Sequence, residues 1–135
     1  GINISLGTDG YITDFFEVMR GAFLIHKANQ LNPQVMPASL VWYMATEGGA
    51  KVLGLEKIGR LAPGWQADLQ LFRADPPTPL AEHNLYEQTL LYCHASDVTS
   101  TMVAGKLLMK DRVLATHDEP ALREETHRAA RRLWS

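Results

Sequence analysis

Asp9 is the residue of this sequence best placed to do chemistry. It directly follows the apolar run Ile2–Leu6 and stands among small residues, in Gly7-Thr8-Asp9-Gly10. Small flanks let a backbone turn sharply and leave room for a ligand beside the carboxylate. In parallel α/β folds functional groups collect where strands end, which is where Asp9 falls. A carboxylate there can accept and return a proton, or lend an oxygen to a cation; the plainer reading is a turn aspartate that closes a strand. Tyr11 is near enough to wall a substrate pocket. Of the five histidines, none is in a His-x-His pair. His26 falls on an apolar helical stripe and reads as a packed or edge histidine, while His83, His117 and His127 read as surface. Cys93 and His94 are neighbours, and neighbours on a strand point to opposite faces, so they form no thiolate–imidazole pair.

The elements that must position these groups follow from periodicity. Ile2, Ile4 and Leu6 alternate with Asn3 and Ser5, which predicts a short strand ending at Gly7–Gly10. Asp14 followed by Glu17 predicts a capped helix start, with Phe15, Met19, Ala22 and His26 on one face, Phe16 and Phe23 beside it, and a stop near Asn32-Pro33. A second helical stretch runs from Ala38 to about Leu53, interrupted at Gly48-Gly49. Trp42 and Tyr43 on it read as core. Two short strands are expected at 58–61 and 64–72 around Pro63-Gly64, with Asp68 capping a turn. The proline-rich segment 73–84 is loop, and Leu90-Leu91-Tyr92 is a short apolar run. A hairpin is expected at 98–103 and 107–109 around Ala104-Gly105-Lys106, with Val113-Leu114 extending it. A final helix from about Asp118 to Leu133 has Leu122, Thr126, Ala129 and Leu133 as its inner stripe and Glu124 paired with Arg128 outside.

Composition bounds the function. The chain has 135 residues, 13 Lys plus Arg against 15 Asp plus Glu and a net charge of −2. Near-neutral charge argues against nucleic acid as a partner, since phosphate binding needs a basic surface. No run approaches the ~20 apolar residues of a membrane span. The single cysteine allows no internal disulfide, and a cytoplasmic location is expected. A complete (β/α)8 barrel is excluded, because it needs about 250 residues. The chain opens inside an apolar run without Met, which is expected of the end of a longer protein.

Several segments together resemble one family. Leu6-Gly7-Thr8-Asp9-Gly10 is similar to the end of barrel strand eight in the metal-dependent amidohydrolase superfamily. Ala45-Thr46-Glu47-Gly48-Gly49-Ala50 with Leu53-Gly54-Leu55 resembles the helix after the barrel in its aminohydrolase and chlorohydrolase branch. Gly59-Arg60-Leu61-Ala62-Pro63-Gly64 with Ala67-Asp68-Leu69 resembles the return into its small β domain, and Val103-Ala104-Gly105-Lys106 with Asp111-Arg112 its late hairpin. Within the branch the likeness is greatest to aminohydrolases linked to selenium metabolism. Deaminases of purine-like rings carry Ala-Ser-Asn-Asn after this turn, where Tyr11-Ile12-Thr13-Asp14 stands here.

The resemblance implies an α/β architecture. Residues 1–57 would be the last strand and helices of a (β/α)8 barrel, 58–116 the C-terminal strands of the small β-sandwich domain, and 117–135 a terminal helix. It implies a hydrolase that removes an amino or chloro group from a small molecule, with one divalent metal ion, zinc in most members. Asp9 would ligate or touch the metal, take the proton of the activated water and pass it to the leaving amine. The other ligands of such a site are histidines that this sequence lacks, so the 135-residue chain by itself is expected to be inactive. A homo-oligomer is expected, because the strand 1–6, without its barrel neighbours, would leave an open edge. The alternative is a free-standing, non-catalytic binding or assembly module with Asp9 as a turn residue.

Overall fold

The computed structural model describes residues 1–134. The first helix, α1 (Phe15–Gln30), starts where the acidic pair predicts: Asp14 is extended, and its Oδ1 accepts the Phe16 N–H at 3.0 Å. It ends at Leu31, left-handed at φ 48°, with Asn32 N donating to Lys27 O and Leu31 N to Ala28 O. Lys27 fixes the following turn, its Nζ donating to Pro33 O, Val35 O and Met36 O while lying 4.2 Å from the centre of the Phe23 ring. The buried face runs through Phe16 and Met19, and His26 is exposed. His26 was expected on the apolar stripe, but the face is rotated toward Phe16, and the last turns of the helix project beyond the core.

The second helical stretch is two helices, α2 (Ala38–Ala45) and α3 (Glu47–Leu53), and it breaks at Thr46 rather than at the glycines. Thr46 has φ −123° and ψ −95°. Its hydroxyl donates to Trp42 O at 2.7 Å and its N–H to Tyr43 O at 3.2 Å, so the hydroxyl takes the carbonyl that a continuing helix would use. Gly48 and Gly49 are helical. Beyond Gly54, left-handed at φ 67°, residues 55–68 form turns, and no strand forms at 58–61. That loop is pinned by Gln66 N to Lys57 O at 2.9 Å and by Arg60, which bridges Glu47 at 2.8 Å and stacks on Trp65.

The sheet is antiparallel, in the order β1 (Leu69–Phe72), β2 (Val98–Val103), β3 (Lys106–Lys110), β4 (Val113–Leu114). The predicted hairpin is present: Ala104 and Gly105 sit at φ 49° and 76°, the mirror-image turn that matches strand twist. Asp68 Oδ1 accepts Ala104 N at 2.5 Å, so the predicted turn cap reaches across the sheet. The apolar run at 90–92 belongs to a helix, α4 (Leu85–Tyr92), after which Cys93 and His94 are extended.

Two apolar clusters form the core. Met19, Ala38, Val41 and Leu90 pack where α1, α2 and α4 meet, with Leu6 against them; Phe16, Cys93 and Val98 pack between α1 and the sheet. Trp42 touches both, and Tyr43 is more exposed than a core reading implied. Two expectations fail at the ends of the chain. Residues 1–7 form no strand, and Ile2 is 91% exposed; a strand exists only by pairing, and none of the described residues pairs with this segment. The last helix, α5 (Glu119–Trp134), carries the expected Glu124–Arg128 pair at 3.0 Å, but its stripe Leu122, Thr126, Ala129 and Leu133 faces solvent because no other element covers it.

Leu90 is fully buried at the centre of the larger cluster. Leu90→Ala should lower the unfolding free energy by about 3 kcal/mol, read from the urea midpoint. A loss under about 1 kcal/mol would place the core elsewhere.

Candidate active site

Asp9 sits in a tight turn closed by Tyr11 N donating to Thr8 O at 3.2 Å. Asp9 and Gly10 are both left-handed, at φ 51° and 76°. Aspartate tolerates that region better than most residues and glycine enters it freely, which accounts for the pair at this bend. The Asp9 carboxylate is exposed, and among the described residues no group hydrogen-bonds or ion-pairs with it. Tyr11 is 88% exposed. The main groove, about 670 Å³ between the helices and the sheet, is lined by Phe15, Trp42, Arg60, Phe72 and Met102 and includes neither Asp9 nor Tyr11.

The histidines do not gather around Asp9. His83, His94, His117 and His127 are exposed, like His26. The one group of potential metal donors among the described residues is Asp14, Glu17 and His94, whose ligand atoms lie within 4.8 Å of one another. Sequence spacing hides this group, because His94 is brought in by the fold from the far side of the chain. Its key carboxylate is already in use: Asp14 Oδ1 caps α1, while Oδ2 accepts Ala95 N at 2.9 Å. This group therefore reads as a brace between α1 and the segment entering β2. A catalytic zinc takes three or more protein ligands. Asp9 supplies one oxygen, so the residues present here do not fit a complete metal site by themselves.

Cys93 is buried, and Arg20 Nη2 donates to its carbonyl at 2.9 Å. Burial pushes the thiol above its ordinary value, Asp97 adds to the shift and Arg20 opposes it. The thiol stays protonated, which removes a nucleophilic role. Because the folded value is the higher one, this contribution to stability is complete below the unfolded thiol's pKa and is lost as pH rises through the folded value.

With this geometry in view, comparison with known proteins identifies the chain's relatives. Residues 1–108 match the amidohydrolase family. The chain belongs to that family. It is 41% identical to the 5-methylthioadenosine/S-adenosylhomocysteine deaminase of Desulforudis audaxviator, and 39% identical to the 5'-deoxyadenosine deaminase of Methanosarcina mazei. Each match covers 98% of this chain and 32% of the relative, so the chain spans about a third of the length of those proteins. Among solved structures, the zinc-bound adenosine deaminase of Xanthomonas campestris matches with a TM-score of 0.79 at 28% identity, over 87% of this chain and 27% of that one. The zinc complex of atrazine chlorohydrolase from Arthrobacter aurescens shares the fold, with a TM-score of 0.71 at 23% identity over 83% of this chain and 25% of that one. These amidohydrolase relatives include deaminases of adenosine derivatives, the class from which Tyr11–Asp14 pointed away.

The two aspartates should separate by stability. Asp14→Ala should cost about 1–2 kcal/mol by removing the cap and the brace, whereas Asp9→Asn should stay within about 0.5 kcal/mol. Chemical denaturation of both variants measures this, and equal losses would mean that the Asp9 carboxylate is structural.

Proposed function

We propose that the whole protein to which this chain belongs is a metal-dependent amidohydrolase of deaminase type, acting on a 5'-modified adenosine. In this reading residues 1–57 are the last strand and helices of a (β/α)8 barrel, 58–116 the closing strands of the small β-sandwich domain, and 117–135 a terminal helix. The observation that carries it is the left-handed, unpartnered Asp9 at the end of the segment 1–7, within a chain aligned over 98% of its length to such deaminases. The substrate class rests on those relatives, and Tyr11 walls the pocket.

The reaction replaces an exocyclic amine with oxygen. Water adds to the ring carbon, the carbon–nitrogen bond breaks, and ammonia leaves. Water must lose a proton and the amine must gain one, and a single carboxylate beside the ring carbon can do both in turn. Asp9 is that carboxylate. Among the described residues nothing competes for its two oxygens, so one would be free for the proton and the other for a divalent ion, zinc in the Xanthomonas neighbour. The histidines that would complete an ion site come from the rest of the polypeptide, and the 135-residue chain alone does not turn over.

Ammonia release from 5'-deoxyadenosine, 5-methylthioadenosine and S-adenosylhomocysteine by the whole protein tests the reading. Asp9→Asn should lower kcat by about 10²–10⁴-fold while leaving the fold intact. Undiminished turnover in that variant would remove Asp9 from the site. Turnover of other carbon–nitrogen substrates but none of these three would remove the substrate class.

A further inference from the structure

We propose that Gly48 is a positioning residue for Asp9, holding the segment that leads to the carboxylate by leaving no space between two backbones. The inference rests on Asp9 being the working carboxylate. Gly48 is buried in the first turn of α3. A Cβ on it would lie 3.0 Å from Tyr43 O, 3.1 Å from Ile4 O and 3.3 Å from Tyr43 Cε1, so two of the three walls are main chain. Adjacent Gly49 is different: a Cβ there would meet only Met44 O, at 3.7 Å, an ordinary contact.

Which wall would yield to a methyl group follows from what holds each one. Tyr43 O accepts the Thr46 N–H and belongs to α2, which is anchored by buried Val41 and Met44. The kink cannot retreat the other way. Gly59, at φ 88°, already lies so close that its own Cβ would be 3.0 Å from Thr46 O and from Glu47 Cα, and the Arg60–Glu47 bridge closes that side. The wall that remains is the carbonyl of Ile4, in a segment without strand hydrogen bonds whose main anchor is Leu6 against the core. A side chain at position 48 therefore displaces residues 4–6, and the Thr8–Tyr11 turn that carries Asp9 moves with them. Contacts of 3.0–3.1 Å require a shift of a few tenths of an ångström, and because a misplacement of about 1 Å can cost ~10²-fold, a shift of that size costs several-fold.

In the whole protein, Gly48→Ala should lower kcat by about 3- to 10-fold and move the acid limb of the pH profile, with Gly49→Ala unchanged in both. Loss of folded protein would scale the profile without moving its limb. In the 135-residue chain, Gly48→Ala should accelerate amide exchange across residues 4–11, and Gly49→Ala should not. Should Gly48→Ala fold poorly, the double variant Gly48→Ala/Gly49→Ala, which gains helix propensity at the second site, carries the same two measurements. Wild-type kcat and wild-type exchange in a folded position-48 variant would overturn the proposal. Asp9→Asn run in parallel separates the two ideas: full activity there removes the catalytic reading of Asp9, while the exchange comparison still decides whether Gly48 holds the segment.

Discussion

Two stretches of main chain meet at Gly48 with no room for one methyl group between them, and the layout of the molecule follows from that approach. It requires a break in the second helical stretch. Thr46 makes the break by giving its hydroxyl to the carbonyl of Trp42, so that α3 leaves at a new angle and presents its first turn to Ile4. Gly59 then packs against the backbone of Thr46 and Glu47 at the same kink, bringing the loop that leads into the sheet. The segment before Asp9 and the entry to the β-rich half are thus both referred to one bend of backbone.

The second organising feature is the set of ties between α1 and the segment before β2. Phe16 meets Trp42 edge to face at 6.3 Å and Phe72 at 5.5 Å, joining the helical cluster to the sheet through one side chain. Such pairs contribute about 0.5–1.5 kcal/mol beyond their buried area. Asp14 holds the Ala95 amide, and Arg20 holds the Cys93 carbonyl. A rigid helix thereby positions the start of β2; β3 and β4 follow by hairpin pairing, and β1 pairs antiparallel with β2 across the connection that holds α4.

The parts legible in the sequence are those fixed by neighbours along the chain. The Asp14 cap, the Ala104-Gly105 turn and the Glu124–Arg128 pair each need only local geometry. The parts that were not legible depend on partners. Alternation at Ile2, Ile4 and Leu6 describes a surface that would suit a strand, but pairing makes the strand, and none is present. Leu90–Tyr92 could not be told from a strand by apolarity alone, and α4 is decided by packing of Leu90 against α1 and α2. Gly48-Gly49 suggest a break by their flexibility, but the Thr46 hydroxyl, which competes for a backbone carbonyl, sets it two residues earlier. At the site, small flanks made Asp9 visible, whereas the second use of Asp14 was invisible because Ala95 comes near only through folding.

The aspartates of this chain sort by what occupies them. Asp14, Asp68, Asp97 and Asp118 each accept a backbone amide, so their carboxylates serve as caps. Among the described residues Asp9, Asp75 and Asp111 accept none, and of these Asp9 and Asp111 are left-handed, at φ 51° and 48°. Local geometry therefore does not distinguish these two. Their surroundings do. Asp111 follows β3, which is paired on both sides by β2 and β4, so the structure around it is complete. Asp9 follows a segment whose amides and carbonyls are unpaired and whose Ile2 and Ile4 side chains are 91% and 60% exposed. Exposed apolar surface is costly in water, and an unpaired extended edge is open to pairing with another segment. In the proposed reading, groups that complete a site around Asp9 would cover Ile2 and Ile4, and burial of that surface would also stabilise the turn.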